Sequence, residues 1–230
     1  MHTITPSAFC YLLGYLAGAA AFLAMAARRR LLTSGMVRVM TAGVVGGLIC
    51  AALSQWLVAG EEGKSIIGGI AGGYLIVILY KRRLGIRRST GDLFAVAVSA
   101  GEAVGRWGCY FAGCCYGRPS TVPWAIYQHG AYRHPTQIYS SLAAAAILGI
   151  LLLVERRRPP ENTLWFLQGT LYCIARFVIE FYRAGPVTSI GLTAAQIACL
   201  VGLLFFGIGL GRLLTSRVDH AHATAPALGG

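Results

Sequence analysis

The sequence predicts an all-α membrane protein with seven spanning helices, and three observations carry that prediction. Hydrophobic residues make up 56% of the chain and charged residues only 12%, far outside the usual composition of a soluble domain. Seven apolar runs are long enough, or nearly so, to cross about 30 Å of hydrocarbon. Basic residues gather between alternate runs, on one side of the implied bundle.

The first run, Ser7 to Ala26, has no basic segment before it and no small-residue cleavage site after it, so it reads as a retained helix and not a removed signal peptide. The second, Gly35 to Val58, and the third, the short Ser65 to Tyr80, are rich in small residues. Gly14, Gly18, Gly43, Gly46, Gly47, Gly68, Gly69, Gly72 and Gly73 permit the close backbone approach by which helices pack in lipid. Thr90, Gly91 and Asp92 read as a cap for the fourth run, Leu93 to Ala112, with Asp92 favourable at the positive end of the helix dipole. The connection from Gly117 to Pro135 carries Pro119, Pro123, Trp124, Tyr127, Gly130 and Tyr132, and reads as an aromatic loop lying at headgroup depth. Pro135 opens the fifth run, Ile138 to Val154. Leu164 to Phe181 and Ile190 to Leu210 complete the set. From Ser216 the chain turns polar and ends in glycine, so residues 1–215 read as a single membrane domain and 216–230 as a disordered tail.

The net charge of +12 is a topology signal and not a mark of nucleic-acid binding, because of where the charges fall. Fourteen basic residues follow the first, third, fifth and seventh runs: Arg28, Arg29, Arg30, Arg38, Lys81, Arg82, Arg83, Arg87, Arg88, Arg156, Arg157, Arg158, Arg212 and Arg217. The opposite connections hold Lys64, Arg118, Arg133 and Arg183. The positive-inside rule then puts the N-terminus outside and the C-terminus in the cytoplasm. The turn after the fourth run and the 117–135 connection fall on the outer side.

Two arginines break the apolar pattern. Arg106 follows Glu102, and Glu180 follows Arg176, each at i,i+4 spacing that puts both charges on one helical face. At bilayer depth a charge opposes insertion by roughly 2.5–3.5 kcal/mol, so the four groups together cost about 10 kcal/mol if unpaired. They read either as structural ion pairs that lock the bundle or as a site for an anion. Burying an ion pair is a weak device for stability compared with apolar packing. Guanidinium, by contrast, binds phosphate oxygens through two parallel bonds and never loses its charge. Phospholipid is the phosphate ester present at that depth, which makes a lipid headgroup the leading ligand. The segment Gly105-Arg-Trp-Gly-Cys-Tyr-Phe-Ala-Gly-Cys-Cys-Tyr-Gly117 surrounds Arg106 with glycines 105, 108, 113 and 117, a pattern suited to a helix end unwound toward a ligand. His134 precedes the helix-opening proline and falls at the outer mouth.

Of seven cysteines, Cys10, Cys50, Cys173 and Cys199 lie in apolar runs and read as small core residues. Cys109, Cys114 and Cys115 cluster in sequence without Cys-x-x-Cys spacing. Plain packing, thiol chemistry and a soft-metal site with His129 or His134 all remain open for them. No metal is assigned, and His220 with His222 are read as part of the tail.

The ordered motifs Gly105-Arg-x-Gly108 with Gly117 downstream, His134-Pro-Thr-Gln-x-Tyr139, Arg176-x-x-x-Glu180-Phe-x-Arg183 and Leu192-Thr-x-x-Gln196 resemble those of the bacterial prolipoprotein diacylglyceryl transferases, over nearly the whole chain. The chain is identified as a divergent member of that family. The resemblance implies seven helices in an inner membrane. It also implies transfer of the diacylglyceryl group of phosphatidylglycerol onto the cysteine thiol of an exported lipoprotein precursor or another thiol acceptor, with release of glycerol phosphate. No cofactor is implied. Arg106 and Arg176 would hold the lipid phosphate, Glu180 would orient Arg176, and Gly117 would line the site. His134 is the base expected to deprotonate the acceptor. Glu102, Gly105, Gly108, Gln137, Tyr139, Arg183 and Gln196 are the further residues expected against substrate. The family signature Gly-Arg-x-Gly-Asn-Phe-x-Asn-Gly-Glu differs here: Cys109, Ala112 and Cys114 stand for the two asparagines and the glutamate, and Ile67 replaces the histidine of a short His-Gly-Gly segment. Ser7 aligns best with an early family tyrosine, and Tyr11 lies a turn away.

Two other functions fit the same residues. One is a lipid-binding or lipid-moving protein that kept the headgroup site without the transfer step. The other is a thiol or metal module built on Cys109, Cys114 and Cys115. The topology is open to direct test: a reporter fused after Gly230 is expected on the cytoplasmic side, and a tag beside His129 is expected to react with an impermeant reagent from outside.

Overall fold

The computed structural model describes residues 5–59 and 66–224. Among these are seven helices and one small hairpin: α1 (Pro6–Arg28), α2 (Ser34–Ala59), α3 (Ile66–Arg83), α4 (Gly91–Phe111), β1 (Ile126–Gln128), β2 (Ala131–Arg133), α5 (Thr136–Glu155), α6 (Thr163–Glu180) and α7 (Ala194–Thr224). Each apolar run is one helix, so the fold class is all-α. Within α1, α2, α5 and α7 lie four stretches long and apolar enough to cross a membrane. The charges on α4 and α6, and the Lys81-Arg-Arg end of α3, lower the mean hydropathy of the other three. Large side chains such as Leu153, Val178, Leu204 and Phe205 are more exposed than buried, an apolar exterior that suits lipid and not water.

Where the sequence reads as one domain, its contacts divide into two compact units, one of residues 22–89 and one of 1–21 with 90–230. In the first, α2 and α3 pack through glycine. A Cβ on Gly47 would lie 3.2 Å from the Gly69 carbonyl oxygen, and one on Gly73 would lie 3.3 Å from that of Gly43. The segment at 63–65 and the side chain of Ile67 fall outside the described residues.

The second unit holds the start of α1, α4 to α7 and the hairpin. Here too glycine sets the spacing: a Cβ on Gly14 of α1 would stand 2.9 Å from the Gly101 carbonyl oxygen and from the Gly105 Cα of α4. The Ser141 hydroxyl of α5 donates to the Ala103 carbonyl oxygen of α4. At the opposite end of α6, Trp165, Phe166, Phe205 and Phe206 form an edge-to-face cluster between α6 and α7.

Three expectations change. First, α4 stays helical through Gly105 and Gly108 to Phe111, so the unwound end begins only at the turn that follows. Second, Thr90 makes no side-chain cap bond. Buried Asp92 instead crosses to α6, where its carboxylate accepts the backbone N–H of Asn162 (3.1 Å) and of Trp165 (3.0 Å). Third, the 117–135 connection contains a β-hairpin, because His129 and Gly130 both take positive φ and make the two-residue turn that matches strand twist. The backbone of α7 runs on as helix to Thr224, and 225–230 fall outside the described residues.

The Asp92 contact makes a quantitative expectation. Asp92→Ala strips two buried N–H groups of a charged acceptor, and each such hydrogen bond contributes about 1.5–3 kcal/mol. Thermal unfolding in detergent is expected to show destabilisation of at least about 2 kcal/mol, with partial recovery in Asp92→Asn.

Candidate functional site

Both Arg–Glu pairs form as their spacing requires. Arg106 donates from Nε to Glu102 Oε1 at 2.9 Å and from Nη2 to the same oxygen, while Arg176 Nη1 lies 2.5 Å from Glu180 Oε2. All four side chains are largely buried, with 9–14% of their surface exposed. Glu180 also draws Arg183 to 3.9 Å. One member of each pair, Glu102 and Arg176, lines a small cleft between α4, α5 and α6, together with Ser140, Tyr172 and Ile179. Tyr172 stands in the electrostatic field of Glu102, Arg106 and Arg176. It went unremarked in the sequence, where a tyrosine inside an apolar run carries no signal of its own.

Above the cleft, three segments are stitched together by backbone bonds. Arg118 N–H donates to the Tyr182 carbonyl oxygen (2.8 Å), Ala184 N–H to Tyr116 (3.1 Å), and His134 N–H to Arg118 (3.1 Å). Gly117 lies at the centre of this seam, paired with Arg183. A Cβ there would run into the His134 carbonyl oxygen and come within 2.9 Å of that of Tyr182, so only glycine fits. Arg133 stabilises the hairpin by donating to the carbonyl oxygens of Gln128, Gly117 and His129, and lies over the Tyr116 ring.

His134 therefore occupies a fixed place. Its Nδ1 is 3.2 Å from the Tyr139 hydroxyl, which also accepts from Trp124 Nε1 at 2.7 Å, and the Tyr182 ring meets its edge. His129 is used differently: its Nε2 lies 2.6 Å from the Gly113 carbonyl oxygen and its ring packs on Tyr116.

The turn after α4 gathers the three clustered cysteines. Gly113 (φ +65°) and Cys115 (φ +59°) take left-handed backbone, which folds the chain back so that the sulfurs of Cys109, Cys114 and Cys115 lie within 4.8 Å of one another. All three are free thiols of intermediate burial. The turn is held from α5: Thr136 Oγ1 donates to the Cys115 carbonyl oxygen (2.7 Å) and Gln137 Nε2 to that of Cys114 (2.8 Å). The Cys115 thiol is drawn down to about 7, first by a hydrogen bond from Cys109 and then, against the cost of burial, by the charge of Arg183. Tyr11 completes the cluster: its ring fills the space that Gly108 leaves by lacking a Cβ, and its hydroxyl reaches Cys109 Sγ at 3.6 Å and Cys114 Sγ at 4.0 Å. Tyr11, set aside in favour of Ser7, is the α1 residue at this site.

Of the other residues singled out, Gly105 faces open space and Gln196 turns inward. Thr193 N–H donates to Gln196 Oε1 (2.9 Å) while Gln196 N–H donates to Thr193 Oγ1 (3.2 Å), a reciprocal cap on α7. The Leu192-Thr-x-x-Gln196 motif thus has a structural use that its Thr-x-x-Gln spacing could have announced.

A helical membrane protein with paired charges inside its helices is what these features define. A family model described as prolipoprotein diacylglyceryl transferase matches residues 2–211, and the chain belongs to that family. It is 29% identical over 194 residues to a protein of Acaryochloris marina, covering 73% of this chain and 70% of the relative. It is 30% identical over 213 residues to one of Fervidobacterium nodosum (79% and 73%), and 34% identical over 165 residues to one of Gloeobacter violaceus (65% and 61%). Each of these relatives is named a phosphatidylglycerol–prolipoprotein diacylglyceryl transferase.

The seam supplies the test of this geometry. Gly117→Ala forces a methyl group against two carbonyl oxygens that cannot swing away, so it is expected to cost about 1–3 kcal/mol. Limited proteolysis of the 117–135 connection should then accelerate while cleavage elsewhere is unchanged.

Proposed function

We propose that this chain is a phosphatidylglycerol-dependent diacylglyceryl transferase acting at the outer leaflet of a bacterial inner membrane, with all seven helices spanning, the N-terminus outside and the C-terminus in the cytoplasm. Family membership and the shared name of its relatives support the reaction. The observation that carries the site is the cleft where Glu102, Tyr172 and Arg176 converge beside Arg106.

In this reading the acceptor is a cysteine thiol of an exported lipoprotein precursor. Its sulfur attacks the glyceryl carbon that bears the phosphate ester, the new S–C bond forms as the C–O bond breaks, and the electron pair leaves on the phosphate oxygen of glycerol phosphate. Arg106 and Arg176 neutralise that leaving group as its charge develops. Glu102 takes two of the five Arg106 donors and holds the fork still, so Nη1 is left for a phosphate oxygen. Glu180 orients Arg176 and Arg183 in the same way.

His134 serves as base. For that role Nδ1–H must donate to the Tyr139 oxygen, which already accepts from Trp124, leaving the Nε2 lone pair for the acceptor proton. Gly117 and Gln137 act through the backbone they position.

An ion pair of purely structural purpose would behave differently under mutation, and the difference is measurable. Arg176→Lys keeps the charge but loses the planar two-bond contact, so it is expected to reach normal membrane abundance with activity on phosphatidylglycerol reduced about 10- to 100-fold. Removing one partner of a structural pair strands a buried charge at about 3–5 kcal/mol, and removing both relieves it. The double variant Arg176→Ala with Glu180→Ala is expected to remain inactive. Recovered activity would make the pair scaffold and remove the headgroup site.

A further inference from the structure

The three sulfurs after α4 form an arrangement that the arginine chemistry does not use. Pairwise separations within 4.8 Å compare with about 3.8 Å between thiolates sharing a tetrahedral zinc, given Zn–S bonds of about 2.3 Å. The backbone beneath is already fixed, since Cys115 is held at φ +59° and the carbonyls of Cys114 and Cys115 are bound by Gln137 and Thr136. A second observation is independent of the sulfurs: Gln137 is 1% exposed, its Nε2 is committed to Cys114, and its Oε1 has no hydrogen-bond partner among the described residues. A buried acceptor beside the cluster is thus open to a backbone N–H of the peptide whose sulfur would take the fourth position. Finally, Cys109 follows Arg106 by three residues on α4, so cluster and phosphate cleft are about one helical turn apart.

We propose that Cys109, Cys114 and Cys115 bind a zinc ion whose fourth position takes the acceptor thiol as thiolate. This rests on the transferase reading above and gives that site its means of activating sulfur. Three protein ligands with one open position is the arrangement of a working zinc site, whereas a structural one is closed by four. Coordination deprotonates a thiol outright, and the proton it releases passes to His134, the base of the reading above. The zinc-bound sulfur then forms its bond to the glyceryl carbon, the C–O bond breaks with its electron pair on phosphate, and the thioether product, a poor ligand, leaves. No oxidation state changes. Tyr11 acts as a positioning residue by hydrogen-bonding Cys109 from α1. Cysteines at 109 and 114, where the family signature has asparagine and glutamate, and isoleucine at 67 in place of histidine are then parts of one substitution: metal activation of the thiol, with His134 taking its proton.

The test uses the purified full chain in detergent, loaded with zinc and passed through a desalting column. Elemental analysis is expected to find one zinc per chain. The control Cys10→Ala should keep it, and Cys109→Ala or Cys115→Ala should lower zinc affinity by more than about 100-fold. Cobalt-loaded wild-type protein, which needs no variant to fold, should show thiolate-to-cobalt charge-transfer absorption. That absorption should strengthen when a short peptide with one cysteine is added and stay unchanged with its serine counterpart. Substoichiometric zinc, zinc retained by the triple alanine variant, a disulfide among the three cysteines, or a cobalt spectrum blind to the thiol peptide would overturn the inference. Undiminished lipid transfer by zinc-free protein would also overturn it and leave the transferase reading standing. Zinc and thiol binding without any transfer from phosphatidylglycerol would uphold the metal site and overturn the reaction.

Discussion

Two guanidinium groups that cannot be neutralised lie inside helices that are otherwise apolar, and much of the second unit is arranged around that fact. A glutamate one turn away is the least that each arginine requires, and both have one. A single carboxylate does not satisfy five N–H donors, and of the two arginines Arg176 lines the small cleft between α4, α5 and α6. The charges lower the hydropathy of α4 and α6, and α1, α5 and α7 supply apolar stretches on the same unit. Arginine here is tolerated because it is shielded, and it is useful because the shielding is incomplete.

Glycine decides how closely that shielding can be built. At Gly14 and Gly101 the absence of Cβ lets α1 lie on α4, and at Gly108 it makes room for the ring of Tyr11. The consequence is chemical: a phenol from the first helix reaches thiols at the end of the fourth. Gly117 works at the seam, where three backbone segments cross too closely for any side chain. Its position ties Arg183, and through Glu180 also Arg176, to the loop that carries His134. The chain belongs to the diacylglyceryl transferase family, and in it the buried charge pairs of α6 are mechanically joined to the 117–135 connection.

The end of α4 and the turn after it bring three cysteines together, and the geometry there is specific. Cys115 holds a left-handed conformation that an L-residue adopts only when its surroundings require it, and the hydrogen bonds from Thr136 and Gln137 are those surroundings. The left-handed turn at Gly113 and Cys115 brings together three sulfurs already near in sequence.

Local rules made much of this protein legible without coordinates. Seven apolar runs became seven helices because hydrocarbon length and backbone hydrogen bonding leave a run little alternative. The ion pairs could be read from i,i+4 spacing because the helix fixes which residues share a face. Contacts between distant segments were beyond such rules. Asp92 was read as a cap for its own helix, whereas it caps α6, since a carboxylate binds whichever N–H groups packing brings near. The hairpin at Ile126–Arg133 depends on a His-Gly turn whose left-handed φ is a weak signal inside an aromatic loop. Gln196, read as a substrate contact, closes a cap, and Tyr11 reaches a cluster 98 residues away. The sequence by itself determined which residues had to be helical and which charges had to be paired, because both follow from neighbours within one turn of chain. Only the tertiary structure decided which thiols, rings and carbonyls meet, because that depends on how closely glycine lets the helices approach.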